Sequence, residues 1–302
     1  MQKYVTVDGA SRHARLRLMG YYIQRAVTSR RIRRIAACMT VALLHRLHGR
    51  AERRAVPAPP ALAALREHGF VELGTLLTTD QCAQIRAWLD PRAMIATHAD
   101  GGAYRLHEMR PEMGIGDFPL DTVVHCPHIL ALANHPDMLR LAAGYLCYTP
   151  TITLMGLRWS FPDTAMDSVQ AFHRDSEPGS IKMLVYLTDV DEDAGPHRYV
   201  AGTHRDRMPL RLRRYGDAEV ARAHGASIVV TGPAGTAFAI DTKGIHKGTP
   251  PARVPRLLLV VQYSLLPCLQ YEYAPVPWRG DARFDRYANR LMIAQEQAAT
   301  AA

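Results

Sequence analysis

"FHRDSEPGSIKMLVYLTDVDEDAGP", residues 172–196, carries both a fold signal and a candidate metal grip. Its centre, Ile181 to Leu187, is apolar apart from Lys182 and Tyr186 and is bounded by Pro178–Gly179 and by a run of acids, the pattern of a largely buried strand. Similar runs recur at "TITLMGLRWS" (151–160), "ASIVVTG" (226–232), "GTAFAID" (235–241) and "PRLLLVVQYSLL" (255–266). No helix of ordinary length separates most of them. A parallel βαβ sheet is therefore disfavoured, and a mainly β core with flanking helices (α+β), a sandwich or jelly-roll barrel, is expected.

Upstream, "REHGFVELGTLLTTDQCAQIRAWLD" predicts a short strand near Phe70–Leu73 and then a helix, with Thr78 and Gln81 at capping-box spacing. "NHPDMLRLAAGYLC" predicts a second helix with Pro136 in its first turn. Residues 98–120, rich in Gly, Met and isolated charges, read as a loop region. The Pro-rich "VPAPPAL" (56–62) divides the chain into a basic helical extension, residues 1–58, and a main domain, residues 59–302.

With 14 His and 18 Asp, about one His-x-Asp match arises by chance, so the motif alone is weak. Four are present. His135–Asp137 holds Pro136 at a helix start, His98–Asp100 lies in the turn-like "THADGGAY", and His204–Asp206 has no strand pattern around it. His173–Asp175 adjoins the strongest strand, and alternation on extended backbone puts both side chains on one face. His246, after "GTAFAID", supplies a third ligand. Two His and one carboxylate make the facial set of non-haem iron(II) oxygenases, which leaves positions for a co-substrate and O2. Arg256, ten residues on, heads an otherwise apolar strand, where a guanidinium is costly unless a carboxylate pairs with it. Each residue alone reads as an ordinary polar residue; the order His-x-Asp, His, Arg is far more specific.

These residues resemble the phytanoyl-CoA dioxygenase (PhyH) family of Fe(II)/2-oxoglutarate-dependent oxygenases, over roughly residues 63–266. The resemblance is strongest at "FHRD", "KMLVYLTDVDEDAGPHRYVAGTHR", "GTAFAIDTKGIHKGTPP" and "RLLLVVQYS". It implies a double-stranded β-helix (cupin-like), iron bound by His173, Asp175 and His246, and the 2-oxoglutarate carboxylate bound by Arg256. It further places Lys182 and Tyr186 facing the co-substrate, against a plain reading of both as barrel-lining residues. Thr249 stands near the small polar position that follows the distal His in many members, although Gly248 occupies the second place after His246. Related halogenases put Ala or Gly at the carboxylate position; Asp175 argues for hydroxylation, with succinate and CO2 released. The competing readings are a 2-oxoglutarate-independent cupin-type metalloenzyme, which has no need of Arg256, and a non-catalytic β-barrel binding module, which would retain no iron.

The net charge of +9 is concentrated at one end. Residues 1–55 hold Lys3 and twelve arginines against Asp8 and Glu52, a net of +11, leaving −2 for the rest. The primary expectation is a solvated basic helix packed on the main domain, with contact to an anionic membrane surface as the alternative. No nucleic-acid partner is expected, since neither interleaved aromatics nor a recognised nucleic-acid fold accompanies the charge. A second basic segment, "HRDRMPLRLRRYGD" (204–217), carries Arg205, Arg207, Arg211, Arg213 and Arg214 and reads first as a solvated loop, with attraction of an anionic small-molecule substrate as the alternative. Five scattered cysteines without a C-x-x-C pair, and no apolar leader, make the cytoplasm the expected compartment.

Overall fold

The computed structural model describes residues 3–4, 12–48, 59–96, 102–110, 113–162 and 170–295. Helices cover Arg12–Ala26, Arg30–His48, Pro60–His68, Thr79–Leu89 and Pro136–Leu146, and all six predicted strands form. The capping box is present, with the Thr78 hydroxyl accepting from the Gln81 amide and the Gln81 side chain accepting from the Thr78 amide. The described residues between 102 and 120 depart from the expected loop: Ala103–Tyr104 and Gly116–Asp117 are short strands. His98–Asp100 and the 56–58 part of the Pro-rich joint lie outside the described residues.

The large sheet has eight strands in the order Phe70–Thr75, Thr236–Ile240, Ser180–Tyr186, Arg256–Ser264, Thr151–Ser160, Gly116–Asp117, Met94–Ala96, Ala103–Tyr104, each paired antiparallel with its neighbours. A smaller antiparallel sheet runs His246–Gly248, His197–Tyr199, Ile228–Val230. Alternation decides what each face does. Ile181, Met183 and Val185, with Leu257, Leu259, Val261 and Tyr263 of the neighbouring strand, join the helices in the main core. Their alternates Lys182, Leu184, Arg256, Leu258 and Gln262 face a cavity on the other side. A second apolar cluster, containing Phe70, Tyr186, Tyr199, Val230 and Phe238, lies between the two sheets.

One glycine is dictated by the packing around the distal end of the site. Gly195 has φ +72°, and a Cβ there would come within 2.5 Å of the Thr249 carbonyl and 2.6 Å of the Pro251 nitrogen. Left-handed backbone costs a non-glycine residue about 1–2 kcal/mol, and the collision with backbone adds to it. Gly195→Ala is expected to lower the thermal unfolding midpoint by several degrees, read by calorimetry; an unchanged midpoint would show that the loop yields freely.

Candidate active site

The three proposed ligands are joined through their backbones. His173 and His246 form an antiparallel bridge, each amide donating to the other's carbonyl (2.9 and 3.0 Å), and the Asp175 amide donates to the Thr242 carbonyl at 2.9 Å. Extended backbone sends Arg174 the opposite way, where it donates to the Thr203 and Lys243 carbonyls (2.7 and 2.6 Å) and pairs with Asp206. One tripeptide thus offers two side chains to the cavity and uses the third as a structural tie.

Ligand atoms of His173, Asp175 and His246 all lie within 4.8 Å of one another. Each imidazole donates from Nδ1 to a nearby carbonyl: His173 to Ala171 at 2.9 Å, His246 to Gly244 at 3.0 Å. That bond places the proton on Nδ1 and leaves the Nε2 lone pair for a metal. Burial pushes His246 down to about 3, the His173 ring adding to the effect, and burial likewise lowers His173, so both rings are neutral donors. Asp175 is subject to the opposite pull. Burial favours its neutral acid, yet Lys182, then His246 and His173, hold the carboxyl well below its usual range. Lys182 Nζ donates to Oδ2 at 2.6 Å, while Oδ1 stands 3.6 Å from His173 Nε2. Lys182 therefore neutralises one oxygen of the carboxylate and leaves the other turned toward the histidines. The donor set suits one iron ion: two neutral imidazoles and one carboxylate oxygen on a single face.

A cavity of about 580 Å³ opens from this cluster, within the usual range for a small-molecule site. Arg256 lines it, 3% exposed; Nη1 donates to the Thr249 carbonyl at 3.2 Å and Nε has no partner. Its neighbour Arg158 is already met by Asp117 through two bonds of 2.8 Å, Nε to Oδ1 and Nη2 to Oδ2. A buried guanidinium with an unpartnered donor and, among the described residues, no carboxylate in hydrogen-bond contact is a fitting seat for an incoming acid. Gly248 leaves the room for it, since a Cβ there would sit 3.3 Å from Arg256 Nη2.

Three sequence expectations are repositioned. Lys182 faces the cavity as expected, but its ammonium contacts Asp175. Tyr186 is fully buried; its hydroxyl donates to the Val230 carbonyl and accepts from the His197 amide, 2.9 Å each, so it braces the small sheet and lies outside the cavity lining. Thr249 meets Arg256 through its carbonyl, and its hydroxyl has no partner. Of the basic segment, Arg214 lines the cavity while Arg213 is engaged by Glu219. Two of the other histidine pairs are structural: His135 caps the helix Pro136–Leu146, and His204 bonds the Arg66 carbonyl.

Sequence reading missed His197. It is 5% exposed, lies across from Gly248 in the small sheet, and stacks on His246 with ring centroids 5.8 Å apart. The residue lines the cavity, its Nε2 is buried with no partner among the described residues, and burial keeps the ring neutral, its pKa falling well below the ordinary value. Glu177 also lines the cavity, raised by burial and by the Asp175 charge. Tyr21, from the N-terminal extension, lines it as well, and Gln24 and Arg33 donate to the Ser176 carbonyl next to Asp175.

The sequence model of the phytanoyl-CoA dioxygenase (PhyH) family matches residues 65–252, more than half the chain. Among solved structures, the chain is similar to the non-haem alpha-ketoglutarate-dependent carbocyclase SnoK from nogalamycin biosynthesis, with 17% identity and a TM-score of 0.51, covering 70% of this chain and 85% of that one. It is similar to HygX from Streptomyces hygroscopicus with nickel and 2-oxoglutarate bound, with 16% identity and a TM-score of 0.51, covering 73% and 91%. EctD from S. alaskensis gives 18% identity and a TM-score of 0.50, covering 82% and 90%. No curated protein matches the chain. The likenesses to solved structures establish a shared fold, and the family match reaches across the His-x-Asp pair and the distal histidine. The chain belongs to the PhyH family, and it is an iron- and 2-oxoglutarate-dependent oxygenase.

Proposed function

We propose that the protein hydroxylates a small-molecule substrate, with His173, Asp175 and His246 holding the iron and Arg256 holding the far carboxylate of 2-oxoglutarate. The observation that carries this reading is the pairing of a His-Asp-His cluster with a buried guanidinium that has an unpartnered donor, both lining one cavity. Bound iron and 2-oxoglutarate supply the oxidation, in which O2 and the oxo acid give succinate, CO2 and one oxygen atom for the substrate. The chain orients these parts. Lys182 keeps Asp175 ionised, the Nδ1 bonds fix both imidazole planes, and apolar Leu184, Ile240 and Leu258 limit water around the co-substrate. Tyr21, Glu177, Arg214 and Tyr271 also line the cavity, and Arg214 would meet an anionic group of the substrate.

The antiparallel sheets on either side of the Tyr186–Phe238 cluster support a double-stranded β-helix as the catalytic domain, residues 59–302, with residues 1–58 as an added extension. No described helix is long and apolar enough to cross a membrane. All five cysteines are free, which supports a reducing, cytoplasmic setting. The reaction is tested by following succinate release with iron(II) and 2-oxoglutarate across a substrate panel, with product mass. A gain of one oxygen atom is expected; a product isomerised or cyclised without that gain would replace hydroxylation by another oxidative outcome.

His197 enters this reading as a contact to the co-substrate between Arg256 and His246. His197→Leu removes the Nε2 donor while preserving an apolar packing surface. Loss of one such hydrogen bond corresponds to about a fivefold to tenfold rise in KM for 2-oxoglutarate. An unchanged KM with unchanged kcat would return His197 to a packing role.

A further inference from the structure

The N-terminal helices have an inner face tied to the main domain and an outer face that is exposed. On the inner face, Arg30 donates to the His204 and Met208 carbonyls (3.0 and 2.9 Å), the Thr28 carbonyl accepts from the Leu210 amide at 2.8 Å, and Leu44 enters the main core. On the outer face of the helix Arg30–His48, Ile32, Ile35, Met39, Leu43 and Leu47 are each more than half exposed. Their spacing of three, four, four and four residues makes one continuous stripe. Leu16, Met19, Tyr22 and Ile23 are likewise more than half exposed on the helix Arg12–Ala26. Nine of the thirteen exposed large hydrophobic side chains among the described residues belong to these two helices, so the exposed apolar surface is concentrated on them.

Its borders carry charge of one sign. From Gly9 to Ala51 there are ten arginines and no acidic residue, and Arg15, Arg25, Arg31, Arg34 and Arg46 are exposed beside the apolar positions. A second copy of the chain would bring like charges together across this patch, which disfavours a symmetric dimer. An apolar stripe about 23 Å long, bordered by arginine and free of carboxylates, is the chemistry of a helix that lies in the plane of an anionic lipid surface. We propose that the outer face of the helices Arg12–Ala26 and Arg30–His48 docks the enzyme on anionic bilayers, the apolar residues entering the headgroup boundary and the arginines meeting lipid phosphates. The inner face of the same helices borders the catalytic cavity through Tyr21, so docking would hold that side of the site near the lipid surface.

The test is vesicle flotation of the full chain with phosphatidylcholine alone and with equal parts phosphatidylcholine and phosphatidylglycerol. Binding to the mixed vesicles is expected, with at least about tenfold weaker binding to the neutral ones and a marked loss at high salt. Met39→Asp with Leu43→Asp should reduce binding about tenfold or more with an unchanged melting temperature, since both side chains are exposed and outside the cavity. Arg31→Ala with Arg46→Ala should flatten the salt dependence. No binding of the wild-type chain at low salt, or equal binding by the Met39/Leu43 variant, overturns the proposal. So does a wild-type dimer in sedimentation that this variant converts to a monomer, because the stripe would then be a self-interface.

Discussion

Alanine at His246 is expected to abolish 2-oxoglutarate turnover, with succinate release falling about a thousandfold or more and stoichiometric iron lost on gel filtration. The two losses have one cause. The His246 ring is buried against His173, with centroids 4.3 Å apart, and neither His173 nor Asp175 can replace its lone pair from the opposite strand. The backbone bridge between the two histidines is independent of the side chain, so the fold should survive, and a retained melting transition separates a lost ligand from a lost structure. A His246→Ala protein that keeps both iron and turnover would place the metal elsewhere.

Arg256→Leu is expected to have the second-largest effect, confined mainly to one substrate. Leucine keeps the apolar stem of the strand and removes the charge, so folding should persist. KM for 2-oxoglutarate should rise about a hundredfold or more, as expected when a buried charge-assisted pair is lost. Affinity for iron alone should stay near the wild-type value, because Arg256 is separate from the ligand cluster. This split distinguishes a co-substrate anchor from a structural arginine. A fall in iron binding with unchanged KM would contradict the assignment. Arg158 is a useful control: it is already paired with Asp117, and its replacement should cost stability before it costs 2-oxoglutarate affinity.

The parts of this account that were legible in the sequence are those written in local pattern. Alternation marked the strands, and the Thr78–Gln81 spacing marked a helix start. Among four His-x-Asp pairs, strand context selected the one that the fold joins to His246 by backbone bonds. What stayed hidden depends on contacts across long stretches of chain. Nothing near Lys182 announces that its ammonium meets Asp175, and period-2 counting put Tyr186 on the correct face without showing that its hydroxyl is consumed by Val230 and His197. Nothing near His197 in the sequence marks it, because its significance lies in stacking on a residue 49 positions away. The extension was read from charge as a solvated helix, and its ties to the Ser176 carbonyl, across more than 140 residues, have no counterpart in its own periodicity.

The central claim is that His173, Asp175 and His246 share one metal ion, with the 2-oxo acid reaching from it to Arg256. Anomalous diffraction from crystals grown with iron(II) and 2-oxoglutarate under nitrogen measures this directly. A single iron peak within bonding distance of all three side chains is predicted, with the distal carboxylate of 2-oxoglutarate on the Arg256 guanidinium. An iron peak that leaves out any of the three, or a co-substrate carboxylate bound away from Arg256, would contradict it.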